Sequence, residues 1–214
     1  MAFKQVFITG NEKHLFFHKM IEYKYYGGFA VSQRQKCVES LHHSIHRSWP
    51  EAQVLEISSK SLTDLGKALS AFNLLTHCPA LGRSIPVECV FQGSKVFEQG
   101  GPYTDLLEAT ARQAKKDERL RSSGRLIGFE YQGVSYPTQP LTLFYDWVYL
   151  HALAQNPQLA DRLPAYTFFT DIEFNQEKSI NCQARTAAIY TTLRATGRLE
   201  QALNDLDCLK SLYK

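Results

Sequence analysis

Long apolar runs are missing from this chain. No stretch approaches the roughly 20 apolar residues of a membrane span, so no membrane insertion is expected. The start, Met1 to Val6, has no apolar signal core, so secretion is not expected and a cytoplasmic location is. Cysteine is sparse: five residues, at 37, 78, 89, 182 and 208, odd in number and without a C-x-x-C pair. That speaks against a zinc ribbon or a disulfide framework and fits a reducing compartment. A surplus of one charge is missing too. The formal net charge is +3, so nucleic-acid binding would need a local basic patch. The standard catalytic signatures are absent: no G-x-G-x-x-G, Walker loop, H-E-x-x-H or G-x-S-x-G. There is no internal repeat, low-complexity tract or clear linker.

What is present is enough for a real core. Apolar residues make up 44% of 214 residues and aromatics 12%, which fits one domain. Residues 3–9 read as a first strand, and 55–57 as a short one. Ser32, with Gln35 three residues on, reads as a capping box for a helix bearing Cys37, Val38, Leu41, Ile45 and Trp49 on one face. Residues 61–75 carry a second helical pattern with Leu62, Leu65, Leu69 and Phe72. Residues 76–85, with Pro79 and Gly82, read as a loop. Residues 103–121 read as one long helix with a basic outer side, and 126–136 as a hairpin turning at Gln132-Gly133. A buried helix follows Pro140, then a short one at Asn156-Pro157. Residues 166–169 read as a strand. Ser179 can cap a helix that closes at Gly197, and Leu199, Leu203, Leu206 and Leu209 form a last one. The fold class is α+β: a mainly helical single domain with a few short strands.

The most informative stretch is Ile85 to Phe97. Pro86 suits the first turn of a helix, and Val87, Val90, Phe91, Ser94 and Phe97 form an apolar stripe. Glu88, Gln92 and Lys95 fall at i, i+4 and i+7, which stacks a carboxylate, an amide and an amine beside it. A solvated face would give the same letters. Gly93 costs helix propensity there and suggests close approach of something else. Asp171 and Glu173, at i and i+2, leave on one side if the segment is extended, as an acid/base pair would. Asn175, Lys178 and Asn181 make that region densely polar. Glu39, His42, His43 and His46 lie within two turns, but no further ligand follows at metal spacing, so no metal is expected. Arg112, Lys115, Lys116 and Arg119 could neutralise phosphates. Tyr25, Tyr26 and Trp147 are candidates for base stacking, with core packing the plainer account of Trp147. Gly27 and Gly28 could offer backbone N–H groups to a diphosphate.

Leu69-Ser-Ala-Phe72, the run from Gly82 to Phe97, and Leu153-Ala-Gln-Asn-Pro-Gln-Leu159 resemble the NADAR (YbiA-like) family. There the pattern is roughly L-S-N-F, then W-P-T-S-E-H-Y-F-Q-A-Q-K-F, then N-P-E-L. Order and spacing agree from about residue 66 to 195. This makes 61–214 the family-like core and 1–60 an N-terminal elaboration of a single 1–214 domain. Residues 25–36 and 171–175 resemble the divergent branch found beside DarT-type DNA ADP-ribosyltransferase toxins. The chain departs from the pattern at Ala71 and at Ile85, and Asn181 is all that remains of a late G-x-N-x-L-G stretch. The resemblance implies an antitoxin that removes ADP-ribose from guanine in DNA, with ADP-ribose as product, a DarT-type toxin as genetic partner and no cofactor. A glycosidase of a riboflavin-pathway intermediate and a silent ADP-ribose or NAD reader are the alternatives. Glu88 is the natural acid/base on geometry, with Asp171 or Glu173 as substitutes. Lys95 is either a nucleophile or a fixed charge. Ser70, Asn73, Gln92, Asn175 and Asn181 are expected to position substrate.

Overall fold

A computed structural model describes residues 1–28, 30–175 and 181–213. The N-terminal part contains β1 (Ala2–Thr9), β2 (Phe16–Tyr23), α1 (Val31–Ser48) and β3 (Val54–Glu56). The middle runs through α2 (Asp64–Ala68), β4 (Leu75–Cys78), β5 (Arg83–Pro86), α3 (Val87–Gly93) and β6 (Lys95–Phe97). Then come α4 (Ala111–Lys116), α5 (Arg119–Ser122), β7 (Leu126–Tyr131) and β8 (Val134–Tyr136). The chain closes with α6 (Leu143–Ala154), α7 (Pro157–Ala160), β9 (Phe168–Thr170), α8 (Gln183–Ala195), α9 (Leu199–Asn204) and α10 (Leu206–Ser211).

The main sheet has the order β2-β1-β9-β3, with β1 antiparallel to both neighbours and β9 parallel to β3. Successive strand residues point to opposite faces, and both faces are covered. Val6, Ile21 and Phe168 meet Cys37, Val38, Leu41 and Ile45 of α1. Phe7, Leu55 and Phe169 join the larger core that holds α3, α6 and α8. Because β9 lies between β1 and β3, the first 60 residues and the rest share one sheet. Asp146 of α6 accepts from Arg185 of α8 at 2.5 Å, from Thr186, and from the Tyr213 hydroxyl at 2.6 Å, which ties the two helices and the C-terminal end together. No helix among the described residues is long and apolar enough to cross a membrane.

Several elements differ from the spacing-based reading. The helix from Pro86 stops at Gly93, and Lys95–Phe97 is a strand paired with β7, Lys95 opposite Phe129. A Cβ on Gly93 would lie 3.2 Å from the Tyr103 carbonyl and from Leu107, so the glycine admits the turn at Thr104–Leu107. The 61–75 pattern yields only α2, because Thr63 caps the Gly66 N–H and the chain turns again after Leu69, leaving Leu62 exposed. Residues 75–86 form a hairpin, not a loop, with Gly82 in the left-handed region at φ 60°. The 103–121 helix is a 3-10 turn and two short helices, because Thr110 and Gln113 build a capping box that starts α4 afresh. The last helix breaks at Asp205, whose carboxylate caps α10. The β2 strand has no counterpart in the reading, and α1 begins at Val31 without a side-chain cap from Ser32. The 126–136 hairpin is present, with Gln132 and Gly133 both at positive φ. Ser179 and Lys178 lie outside the described residues.

Phe144 links these parts. Its ring stacks 4.6 Å from Phe129 and lies 4.8 Å from Tyr136 and 6.5 Å from Phe91. Phe144→Ala is expected to lower stability by about 3–5 kcal/mol, the range for emptying a buried aromatic site. Urea unfolding checks this, and a change under about 1 kcal/mol contradicts the packing described.

Candidate functional site

Every residue of α3 is buried. Its entry is fixed by the Glu88 N–H, which donates to the Ala71 carbonyl at 3.0 Å. Gln183 holds the same turn from α8: its Oε1 accepts from the Ala71 N–H and its Nε2 donates to the Ile57 carbonyl, both at 2.7 Å. One helical turn apart, Gln92 donates to the Glu88 carboxylate at 2.9 Å. The Gln92 Oε1 is buried without a hydrogen-bond partner among the described residues. Such an atom costs on the order of 1–3 kcal/mol unless a ligand or water meets it.

Lys95 approaches from β6 without an ion pair to this carboxylate. Its Nζ lies 4.6 Å over the Phe91 ring. Burial pulls its ammonium down to about 8, against the opposing pull of Glu88 and with the help of Lys115. Lys115 stands 3.7 Å from Glu88 and 5.0 Å over Phe72. A side chain at Gly101, which has φ 89°, would meet the Lys95 carbonyl at 2.2 Å. That close approach fixes the strand carrying Lys95.

A second group lies at the end of the main sheet. Asp171 is buried, and desolvation together with neighbouring Glu56 raises its carboxyl to about 7. Its Oδ1 accepts from the Glu173 and Phe174 N–H groups at 3.0 and 3.1 Å, so the segment is a turn, not extended. Glu173 therefore points elsewhere and pairs with Arg34 at 3.5 Å. The expected Asp171–Glu173 pair is not formed, and the acid that perturbs Asp171 is Glu56. Glu56 accepts from Thr170 at 2.6 Å and from the Ile172 N–H at 2.8 Å. Lys4 donates to the Ile172 carbonyl at 3.0 Å and to that of Phe174. Burial lowers the Lys4 ammonium and raises Glu56. Neither residue stands out in the sequence; the signal was a lysine and a glutamate inside apolar strands.

Tyr145 joins the two groups. It is buried, sits edge-on to Phe91 at 5.1 Å, and has its hydroxyl raised by burial, then by charges that include both Glu88 and Asp171. Tyr149, one turn on, donates to the Leu69 carbonyl at 2.5 Å. The residue between them, Trp147, leaves the opposite side of α6 and packs on Tyr136 and His151, so it is not a stacking platform of this pocket.

The remaining candidates fall in different places. Ser70 is buried beside this turn, and its carbonyl accepts from Asn73 and Leu74. Asn73 spends its amide on the Lys67 carbonyl at 2.8 Å. Asn175 and Asn181 border the residues that are not described. Tyr25, Gly27 and Gly28 are exposed, Gly28 beside Gln33 of α1, and the Tyr26 backbone is bonded to Cys37. Arg119 is held by Asp105 and Asp117 at 2.6 and 2.9 Å and Lys115 turns to Glu88, so neither belongs to an open basic face. Arg112 and Lys116 line a shallow surface with Asp117 and Glu118. The histidines of α1 diverge, His42 to Thr170 and His46 to the Ala52 carbonyl.

The α+β domain carries a buried carboxylate and amide on one short helix and a half-buried amine on the strand that follows, and it is of the NADAR class, which is glycosidase-like. The family model that matches describes the DarT1-associated NADAR antitoxin, and the match runs over residues 2–214. The chain belongs to that family, whose counterpart is a DarT toxin. A comparison with curated proteins gives no match.

The raised carboxyl of Asp171 has a consequence for stability. A folded-state value of about 7 against 3.8 means the folded protein holds this proton more tightly. Its stabilising effect is complete below about pH 4 and is lost as pH rises through 7. Asp171→Asn keeps an oxygen for the two backbone N–H groups and removes that loss. The fall in melting temperature from pH 5 to pH 8 should shrink in the variant, with Glu56 supplying the remainder. An unchanged fall means that Asp171 is ionised throughout.

Proposed function

We propose that this antitoxin is a glycohydrolase that removes ADP-ribose from ADP-ribosylated guanine in DNA. The observation that carries the proposal is Lys95: an amine over an aromatic face, depressed to about 8, beside a carboxylate held by Gln92 and Lys115. A surface lysine near 10.4 is almost wholly protonated at neutral pH, whereas one near 8 is neutral about a tenth of the time.

The bond to be broken joins the anomeric carbon of ribose to a base nitrogen. Glu88 or Asp171 gives a proton to the ribose ring oxygen, and the nitrogen lone pair opens the ring as an iminium. Neutral Lys95 adds to the anomeric carbon. Its proton passes to the guanine nitrogen, the bond to guanine breaks, and a Schiff base joins Lys95 to the opened ribose. One water adds to that carbon, the bond to Lys95 breaks, and ADP-ribose closes. Lysine and acid regain their protons, so one water is consumed and nothing is oxidised. The unpartnered Gln92 oxygen is suited to a ribose hydroxyl at this position.

Incubation with an oligonucleotide carrying ADP-ribosyl-guanine, followed by mass, tests the reading. Wild type should release ADP-ribose, with Lys95→Ala and Glu88→Gln slower by at least about 100-fold. No release by wild type overturns the proposal in favour of a metabolite glycosidase or a silent reader.

The covalent step has its own test. With Lys95 as nucleophile and Asp171 as the acid, the rate should rise about tenfold per pH unit at low pH, peak between about pH 7 and 8, and fall above it as the carboxyl loses its proton. Cyanoborohydride should then trap ADP-ribose on Lys95, read by peptide mass. A Lys95→Ala protein with wild-type turnover removes the covalent scheme.

A further inference from the structure

The proposed substrate is a nucleic acid, and the exposed cations of the 103–121 segment are interleaved with acids. Arg119 is neutralised by two aspartates, Lys115 faces Glu88, and Arg112 and Lys116 sit beside Asp117 and Glu118. Arg112, Lys116 and Arg121 make no ion pair among the described residues, and a second group of such cations gathers elsewhere. Lys24, Lys36 and Arg47 make no ion pair among the described residues. All three are exposed and line one open groove of about 510 Å³ between α1 and the segment after β2. His43 and Tyr26 line it too, and Glu39 is its one acid.

The groove has direction. Lys36 and Arg47 lie on one helix, and at 1.5 Å per residue the track is roughly 16 Å long. Duplex phosphates of one strand advance about 3.4 Å each, so several fit along it. The N-terminal end of α1 approaches the Asp171 turn: Arg34, on the other side of the helix from Lys36, pairs with Glu173, two residues from Asp171. Tyr26 lies at the same end, its backbone bonded to Cys37 and its ring 5.1 Å from Lys24. An aromatic ring flanked by cations suits a base and its phosphates.

We propose that the groove lined by Lys24, Tyr26, Lys36 and Arg47 holds the DNA strand of the substrate. This rests on the glycohydrolase reading for the identity of the substrate, but its test does not need turnover. Binding of a labelled, unmodified single-stranded oligonucleotide is measured by anisotropy over a range of salt. Lys24→Gln/Lys36→Gln/Arg47→Gln should bind at least about tenfold more weakly at 0.1 M salt. The slope of log affinity against log salt should fall by about 2, at roughly 0.7 per lost phosphate contact. Arg112→Gln/Lys116→Gln should change the slope by less than half of that. Equal affinity of the triple variant and wild type overturns the proposal, whether or not the protein cleaves. Unchanged oligonucleotide affinity with lost protection of cells against the toxin overturns it in favour of protein docking at this face. Weaker binding in the triple variant upholds the groove even if no ADP-ribose is released.

Discussion

Stripping water from the Lys95 amine is the constraint on which the pocket depends. An ammonium in water does not attack carbon, and an ammonium buried alone is too costly to keep. This fold keeps the amine over the Phe91 face and gives it one carboxylate at a distance, so it is lowered without being abolished. The arrangement requires that β6 not drift. Gly101 presses its backbone on the Lys95 carbonyl, and Ser94 turns the chain with its hydroxyl on the Val90 carbonyl at 2.7 Å. On the other side β7 supplies Phe129, which is stacked on Phe144 of α6. The amine is thereby positioned by a helix end, a strand pair and an aromatic stack at once.

The second carboxylate is held on different terms. Asp171 stands in a turn whose backbone is gripped from both sides, by Glu56 on one amide and by Lys4 on two carbonyls. Charged groups in a core are expensive, and removing one partner of such a set leaves the other uncompensated. A turn fixed by apolar contacts would be cheaper. What the charges add is a sharply defined orientation and an Asp171 carboxyl that keeps its proton near neutrality. Tyr145, edge-on to Phe91, feels the charge of both this acid and Glu88.

How much of this was legible follows from how local each relation is. Glu88 and Gln92 are one helical turn apart, and periodicity brings them together with no knowledge of the rest of the chain. The hairpin at Gln132-Gly133 is similarly local, set by two left-handed residues. Lys95 does not join them by helical spacing: the helix ends at Gly93 because the 104–107 turn packs there, a contact that spacing does not encode. Asp171 and Glu173 were paired on the assumption of a strand, and a side chain bonding its own backbone two residues on defeats that assumption. Lys4 and Glu56 were silent, because each gains meaning only when β9 inserts between β1 and β3.

Charge shows the same limit most clearly. In the sequence, 112–121 is the basic stretch, and α1 is a mixture of cations, histidines and an acid. Folding narrows the difference. Aspartates at 105 and 117 close on Arg119, and a buried glutamate pairs with Lys115, whereas α1 turns Lys36 and Arg47 to one side, with Glu39 the one acid lining that groove. A polyanion responds to the field of the surface, not to the count along the chain. The cation that would have seemed to belong to DNA, Lys115, instead helps lower Lys95.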